Sequence, residues 1–316
     1  MKKFALLGAL SLCTFFACQN TERDEAVQTH ENTSAMKNSK KGYQLYTVRE
    51  ALTGADSIAA TLSATREMGY EKLESFGYMD GGFLGLSTKE FNAAIANADL
   101  ITPSGHYMPP ELESTTMGTI DPASIDAFLD AAEALGQKWV IIPWMNEAWR
   151  NKEGYDHLIE YLVQLGEAAA QRGMVAGWHN HEFEFEPLEP NEPGSPFAYE
   201  YLLNALEGSN VVFEMDMHWV AYAGQNPVEW ITHYPGRFPL WHVKDFAADT
   251  TTQVPVGQGV LDWAEIFAMA ETAGLEHYFV EQDFCAADKA VQCLQESIEW
   301  VNEQPFMNYT KPLMQR

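Results

Sequence analysis

Four segments in the second half of the chain contain clustered side chains that bind metals or transfer protons. They are His179-Asn180-His181-Glu182, Glu214-Met215-Asp216, His242-Val243-Lys244-Asp245 and Glu281-Gln282-Asp283. Imidazole and carboxylate groups together are typical ligands of a divalent ion such as Mn²⁺, Zn²⁺, Co²⁺ or Mg²⁺. A lone histidine is more often structural, and a lone carboxylate usually caps a helix. The prediction of one divalent ion therefore depends on the recurrence of such groups in four consecutive units.

Each of these segments lies at the end of a β-rich run, and the chain contains eight such runs. They are Tyr43–Val48, Glu71–Ser75, Leu100–His106, Trp139–Trp144, Val175–His179, Val211–Asp216, Pro239–Val243 and His277–Glu281. Segments with helical periodicity separate the runs. Several of these helices have predicted caps: Ser87 with Glu90, Asp262 with Glu265, Asp121 before Pro122 and Asn226 before Pro227.

This alternation predicts the fold class. Eight βα units over about 260 residues give roughly 33 residues each, the size of a βαβ repeat. We therefore predict a (β/α)8 TIM barrel over residues 42–306, in which functional groups lie at the C-terminal ends of the strands. The alternative is a doubly wound open sheet, but Tyr46-Thr47-Val48-Arg49 stands where that fold has a glycine-rich turn.

The composition excludes several classes of protein. Hydrophobic residues make up 46% of the chain, so it can bury a sizeable core. Forty-five acidic residues stand against 19 Lys and Arg, giving a formal charge of −26. Such a surface repels phosphate backbones and anionic lipids, so nucleic acid is not an expected partner. The sequence leaves the oligomeric state open, and a homo-oligomer is compatible with it.

The N-terminus predicts export. Met1-Lys2-Lys3 precedes an apolar run that ends at Ala17, too short to span a bilayer, and Cys18 follows. We predict a lipoprotein signal peptide over residues 1–17, lipidation of Cys18 and a polar tether over residues 18–41. The protein would then face the periplasm or cell surface and touch the membrane only through its lipid. An ordinary secretory cleavage site is the alternative, and residues 307–316 form a predicted C-terminal tail.

Two further cysteines, Cys285 and Cys293, lie in the predicted barrel. An oxidising compartment permits a disulfide between them. A continuous helix would hold residues eight apart at about 12 Å, which is too far for a bridge. We therefore expect free or loosely paired thiols.

Six motifs in order resemble one family. GYQLYTVR, WHNHEFEFEP, VVFEMDMHWV, YPGRFPLWHVKDF, VGQGVLDW and FVEQD are similar to the sugar phosphate isomerase/epimerase group of xylose-isomerase-like barrels, over residues 42 to about 302. The resemblance implies one metal ion, with ligands carried over onto His179, Asp216, His242 and Glu281. His179 is a departure, since many relatives have glutamate there.

The resemblance also implies the chemistry. Sugar epimerases of this group move protons with two glutamates, of which Glu281 matches one and His179 does not match the other. One-base chemistry is therefore expected, with Glu281 and His179 as catalytic candidates. A divalent ion that polarises a sugar carbonyl favours removal of the adjacent proton through an enediolate. Lys244 would stabilise the oxyanion or, alternatively, pair with Asp245.

The predicted ligand is an unphosphorylated keto-sugar or glycoside, because the chain is predicted to be exported, is strongly acidic and has no basic phosphate clamp beyond Arg49, Lys244 and Arg237. The residues predicted to contact it are Arg49, His106, Trp144, His181 and Glu184. Trp178 and Trp219 are further aromatic candidates, and Gly257-Gln258-Gly259 is a weak phosphate-binding signal. Barrel packing or a polar loop over the mouth is the structural alternative for several of these residues.

The sequence is compatible with three functions of this site. The expected one is isomerisation or epimerisation. β-Elimination, by a lyase or dehydratase or in the cleavage of 3-keto-glycosides, would use the same site. A lipoprotein that binds sugars without turning them over is the alternative from another class, although a binding module needs aromatic platforms more than a carboxylate base.

Overall fold

The computed structural model describes residues 41–116, 118–249, 251–286 and 289–308. Eight of its strands form one barrel: β1 (Lys41–Gln44), β2 (Lys72–Ser75), β3 (Ile101–His106), β4 (Trp139–Ile142), β5 (Val175–His179), β6 (Val211–Asp216), β7 (Leu240–Val243) and β8 (His277–Val280). All neighbouring pairs are parallel, and β8 pairs with β1 to close the barrel. The predicted (β/α)8 barrel is confirmed, and its closure excludes the doubly wound open sheet.

Helices cover the outside of the barrel and the connections between strands. They are α1 (Ala55–Met68), α2 (Thr88–Asn97), α3 (Pro110–Glu113), α4 (Pro122–Leu135), α5 (Lys152–Gln171), α6 (Ala198–Ala205), α7 (Met217–Tyr222), α8 (Pro227–His233), α9 (Trp263–Ala268), α10 (Ala270–Ala273) and α11 (Ala290–Glu303). The predicted N-caps at Ser87, Asp121, Asn226 and Asp262 all accept backbone hydrogen bonds.

Short elements complete the loops between these helices and strands. The described residues form four 3-10 helices, at Leu45–Ala51, Glu147–Trp149, Phe183–Phe185 and Pro305–Asn308. Short antiparallel pieces form a three-stranded sheet (Tyr78–Met79, Gly82–Phe83, Leu86–Ser87) and a two-stranded sheet (Asp245–Phe246, Gln253–Val254).

Two strands end at least two residues earlier than predicted, and the eighth ends one residue early, at Val280. The first ends at Gln44 because the Gln44 side chain accepts a hydrogen bond from the Tyr46 amide and begins the 3-10 helix. The fourth ends at Ile142, immediately before Pro143, which has no amide hydrogen to continue the ladder. In both cases the chain leaves the sheet early and contributes loop residues to the C-terminal end of the barrel.

An apolar cluster fills part of the barrel interior. Trp139, Ile141, Leu240 and Phe279 pack together and are nearly fully buried. Leu240 and His242 lie two apart on β7 and therefore point to the same side, with His242 closer to the C-terminal end. A polar cluster thus lies directly above the apolar cluster, at the end where barrel enzymes place their active sites.

Cys285 and Cys293 form a disulfide with a Cα–Cα distance of 6.7 Å. The expectation of free or loosely paired thiols was wrong, because it assumed a continuous helix. Helix α11 begins only at Ala290, so Cys285 lies in the preceding loop and can approach the first turn of the helix.

Several predictions concern residues outside the described ranges. These are the signal peptide over residues 1–17, the lipidation site Cys18, nearly all of the tether and the tail beyond Asn308. Within the described ranges, no helix combines the length and apolar character needed to cross a bilayer.

Candidate metal centre and active site

The structure brings the four predicted metal ligands together. His179 and Asp216 end β5 and β6, His242 lies in β7, and Glu281 directly follows β8. One donor atom from each lies within 4.8 Å of the others, and all four residues are buried. They meet because consecutive parallel strands of a closed barrel place their C-terminal ends around one axis.

In two of these ligands, the atom that would bind the metal makes no hydrogen bond to the described residues. His179 donates from Nδ1 to the carbonyl of Pro143 at 3.3 Å, which leaves the lone pair of Nε2 free. Asp216 Oδ1 accepts hydrogen bonds from the amides of His218 and Trp219. Its Oδ2 has no hydrogen bond of good geometry, although it lies 3.4 Å from His179 Nε2 and forms an ion pair with Lys244. Backbone groups thus hold both side chains with one donor atom turned into the cluster. This is how ligands are oriented at metal sites.

His242 is held from both sides by carboxylates. Its Nδ1 lies 2.8 Å from Glu281 Oε2, and its Nε2 lies 2.7 Å from Glu74 Oε2. Burial by itself would lower the pKa of His242, but Glu214 and Glu281 outweigh it and raise the pKa well above the usual range. Binding of a cation at Nδ1 would release the proton there, while Nε2 would keep its proton and donate it in a hydrogen bond to Glu74.

Glu74 is a functional candidate that the sequence did not single out as a ligand or catalytic group. It is fully buried and accepts hydrogen bonds from Gln44 Nε2 at 2.8 Å and Ser104 Oγ at 2.6 Å, besides its contact with His242. A carboxylate behind a metal-binding histidine fixes the tautomer and the ring orientation. The position of Glu74 near the end of β2 could have identified it as a candidate. Its contact with His242 could not be predicted, because the two residues lie 168 positions apart in the chain.

The predicted substrate-contact residue His106 belongs to a second polar cluster, with Glu74, Glu214 and His242. Its Nε2 lies 2.7 Å from Glu214 Oε2 and 3.2 Å from Glu74 Oε2. Burial alone would lower the pKa of His106, but these carboxylates raise it to about 9. Burial and the charge of Glu74 raise the pKa of Glu214 to about 7. The two clusters share His242, so this second one lies beside the candidate metal site.

Lys244 contacts three carboxylates of the site. Its Nζ lies 2.9 Å from Asp216 Oδ2, 2.7 Å from Glu281 Oε2 and 2.7 Å from Asp283 Oδ2. Burial alone would raise the pKa of Glu281, but Lys244 and His242 outweigh it and hold the pKa below its usual range. Glu281 is therefore ionised at neutral pH.

The suggested ion pair between Lys244 and Asp245 was wrong. Side chains alternate along an extended chain, so the two point to opposite sides. Asp245 instead accepts hydrogen bonds from the amides of Gly257 and Gly259 and from Trp263 Nε1. The Gly257-Gln258-Gly259 turn therefore directs these amides at a buried carboxylate, which leaves them unable to bind phosphate.

A cavity of about 660 Å³ opens at this end of the barrel. Of the predicted ligands, His179 and Glu281 line it, and so do the predicted substrate-contact residues Arg49, His106, Trp144 and His181. Much of the remaining wall is aromatic, formed by Tyr46, Phe76, Tyr78, Phe183, Trp219 and Phe284. The cavity therefore joins a charged floor to apolar walls.

Glu184, a predicted contact residue, and Trp178, a further aromatic candidate, do not line this cavity. Glu184 is fully buried, where its carboxylate accepts hydrogen bonds from Trp178 Nε1 and from the amide of His181, each at 2.9 Å. Trp178 is buried beside it. The prediction that Glu184 contacts substrate is therefore corrected: Glu184 holds the loop that carries His181. Arg237 is also remote, since it donates to the carbonyls of Leu203 and Leu206.

The charge of the site favours a bound cation. Five buried or nearly buried carboxylates, those of Glu74, Glu214, Asp216, Glu281 and Asp283, surround one lysine and three histidines. Burial lowers the pKa of His179 to about 4, so its imidazole is neutral near pH 7, the form that binds metals. Two nitrogens and two carboxylate oxygens, two of the four without hydrogen-bond partners, fit a divalent ion.

A model of the xylose isomerase-like TIM barrel family matches residues 62–304. The chain belongs to this family. No curated protein matches the sequence. Among solved structures, a sugar phosphate isomerase/epimerase from Parabacteroides distasonis ATCC 8503 is similar, with a TM-score of 0.73 and 26% identity over 85% of this chain and 96% of that chain.

Two more distant structures share the fold. A D-allulose 3-epimerase from a Methylomonas species in complex with D-allulose has a TM-score of 0.63 and 12% identity, covering 86% of this chain and 98% of its own. A xylose isomerase-like TIM barrel protein from Mycobacterium smegmatis in complex with magnesium has a TM-score of 0.62 and 14% identity, with the same coverage. The two distant structures show the fold, whereas the family and the 26% identical structure from Parabacteroides distasonis are consistent with a sugar isomerase or epimerase-like enzyme.

Proposed function

We propose that this protein is a divalent-metal-dependent enzyme that removes a proton next to the carbonyl of an unphosphorylated keto-sugar or glycoside, giving isomerisation or epimerisation. The observation that carries the proposal is the convergence of His179, Asp216, His242 and Glu281 on one buried point at the floor of an open cavity. A bound divalent ion would polarise the sugar carbonyl and lower the barrier to enediolate formation.

The residues at the floor of the cavity have separate roles in the proposed reaction. Glu281 is ionised and lines the cavity, so its carboxylate is the base that takes the proton. Lys244 does not line the cavity, but its buried ammonium lies 2.7 Å from that carboxylate, and its positive charge would help to stabilise an oxyanion that forms beside the base. His179, neutral at pH 7, stands where a second glutamate would act in a two-base epimerase. The site therefore favours one-base chemistry.

The cavity supports an uncharged substrate. Lys244 is already surrounded by three carboxylates, and Arg49 donates to the carbonyls of Tyr46 and Asp283. The turn at Gly257 is occupied by Asp245. None of these groups offers a phosphate clamp, and Arg150, the other arginine in the cavity wall, has its guanidinium 3.6 Å from the centroid of the Phe183 ring. A volume of about 660 Å³ lies within the range of pockets that hold drug-sized ligands, so a glycoside fits as well as a monosaccharide.

The same site supports a second outcome. If the substrate is an oxidised glycoside, loss of a leaving group from the enediolate gives β-elimination in place of reprotonation. The aromatic wall formed by Tyr46, Phe76 and Phe284 favours this candidate, because it provides apolar surface for the group attached to the sugar. A non-catalytic sugar-binding protein is disfavoured, since binding alone does not require several buried carboxylates.

We also propose that the protein is exported and anchored through Cys18. The disulfide between Cys285 and Cys293 supports export, because disulfides persist in oxidising compartments and are rare in the cytosol. Labelling with a radioactive lipid precursor in the wild type and in a Cys18→Ser variant tests the anchor. Equal labelling of both proteins would contradict it.

Solvent exchange tests the chemistry directly. Purified protein is loaded with Mn²⁺ and incubated in deuterated water with a panel of ketoses and 3-keto-glycosides, and the products are followed by mass spectrometry and NMR. We expect deuterium next to the carbonyl, an isomer or an elimination product, and loss of the effect after treatment with chelator. Binding without exchange or product for every sugar would instead identify a binding protein. Exchange that survives complete metal removal would refute the role of the ion.

A further inference from the structure

The position of Lys244 relative to the candidate metal ligands has a consequence for metal binding. The lysine is 1% exposed, and its ammonium contacts Asp216 Oδ2 and Glu281 Oε2. The ammonium lies 2.9 Å from Asp216 Oδ2, and Glu281 Oε2 also lies 2.8 Å from His242 Nδ1. Both carboxylates belong to the four-residue group that fits a divalent ion. The positively charged Lys244 side chain therefore already forms ion pairs with two of the four predicted ligands.

A divalent ion and an ammonium that share these two carboxylates repel each other. Inside a protein, two like charges a few ångströms apart interact far more strongly than in water. Binding of the ion must overcome this repulsion or move the ammonium away. Without the ion, the ammonium compensates carboxylates that would otherwise be buried with an uncompensated negative charge.

Asp283 provides an alternative partner for the ammonium. Its Oδ2 lies 2.7 Å from Lys244 Nζ, and Asp283 is not a member of the ligand group. Gln253 fixes this aspartate, since Gln253 Nε2 donates to Asp283 Oδ2 at 3.0 Å and Gln253 Oε1 accepts from the Asp283 amide at 2.8 Å. A lysine that loses Asp216 and Glu281 to an ion can therefore keep one charged contact.

We propose that the Lys244 ammonium competes with the divalent ion for Asp216 and Glu281. When the ion binds, Lys244 keeps its ion pair with Asp283. The inference depends on the proposed metal site but not on the identity of the sugar. It makes Lys244 and Asp283 determinants of metal affinity, although neither is a ligand.

Calorimetric titration of the chelator-treated full chain with MnCl₂ tests this proposal without any substrate. We expect Lys244→Met to bind Mn²⁺ at least about tenfold more tightly than the wild type, and Asp283→Asn to bind it about tenfold more weakly. Lys138→Met is the matched control, since Lys138 pairs with Glu276 on the surface and is 46% exposed. The control is expected to bind as the wild type does.

The double variant Lys244→Met/Asp283→Asn separates the proposal from a general effect of charge. If Asp283 acts through the lysine, then Asp283→Asn changes the affinity less than about threefold once Lys244 is absent. An equal loss of affinity in both backgrounds would overturn the proposal. So would Lys244→Met binding that equals or falls below that of the wild type.

Thermal unfolding gives a second readout and guards against misfolding. We expect Lys244→Met to unfold at a lower temperature than the wild type without metal and to gain more from saturating Mn²⁺. If the methionine variant does not fold, Lys244→Gln and Asp283→Asn provide the same comparison. Absence of Mn²⁺ binding in the wild type and every variant would refute the metal site itself. Equal binding by wild type and Lys244→Met would refute only the competition.

Discussion

Replacing Glu74 by glutamine is expected to weaken metal binding, although Glu74 is not one of the four predicted ligands. The Glu74 carboxylate accepts hydrogen bonds from Gln44 and His242 at Oε2 and from Ser104 at Oε1. A glutamine has nearly the same size, and its amide can still accept at the Oε2 position and donate to the Ser104 hydroxyl. The fold should therefore persist, while His242 loses the negative charge behind its Nε2.

The size of the effect follows from that lost charge. A hydrogen bond to a charged acceptor is roughly twice as strong as one to a neutral acceptor, a difference of about 1 to 1.5 kcal/mol. This corresponds to roughly tenfold in affinity, the lower end of the 10- to 100-fold loss typical of groups that orient a metal ligand. The ligand set itself is unchanged, so the loss should appear for Mn²⁺ and Zn²⁺ alike.

Calorimetric titration of chelator-treated protein measures this affinity, and thermal unfolding checks that the variant is folded. Glu160→Gln on the exposed face of α5 is the matched control and should bind as the wild type does. A folded Glu74→Gln variant whose affinity lies within about twofold of the wild type would refute the reasoning. His242 would then not depend on Glu74 for its orientation or basicity.

Three further outcomes are expected. Glu281→Gln should reduce metal-dependent deuterium exchange by about 100-fold or more, and unchanged exchange would remove Glu281 from the chemistry. Cys285→Ser/Cys293→Ser should lower the free energy of unfolding in urea by about 2 to 3 kcal/mol, whereas an unchanged midpoint would mean that the bridge does not constrain the unfolded chain. Burial raises the pKa of Glu184 from its ordinary 4.5 to about 8, so the folded protein holds an extra proton between these values and loses stability as pH rises through them. Glu184→Gln should remove this dependence, about 1.4 kcal/mol per pH unit in urea unfolding measured from pH 5 to 8, and an unaltered slope would show that Glu184 does not titrate there.

Much of the architecture was predictable because its determinants are local. Period-two runs, helical periodicity and caps such as Ser87 with Glu90 depend on residues close together in the chain, and they located all eight strands. The C-terminal ends of two strands were misplaced by two residues or more. Gln44 turns the chain through its own side chain, and Pro143 lacks an amide hydrogen, so both ends depend on hydrogen bonds that periodicity does not reveal.

The candidate site was predictable only in outline. Closure of a parallel barrel brings consecutive C-terminal ends together, so His179, Asp216, His242 and Glu281 were expected to meet. The disulfide was missed because it depends on where α11 begins, and spacing alone does not determine that residue.

The sequence by itself determined the alternation of strands and helices, and with it the end of the barrel at which acidic and imidazole side chains collect. Only the tertiary structure decided that Glu74 supports His242, that Lys244 contacts Asp216, Glu281 and Asp283 and not Asp245, and that Glu184 lies beneath a loop. The physical reason is that each of these contacts except the last joins different strands or the loops that follow them. Such partners are selected by the closure and stagger of the barrel and by the side to which each side chain points, and these depend on the whole chain.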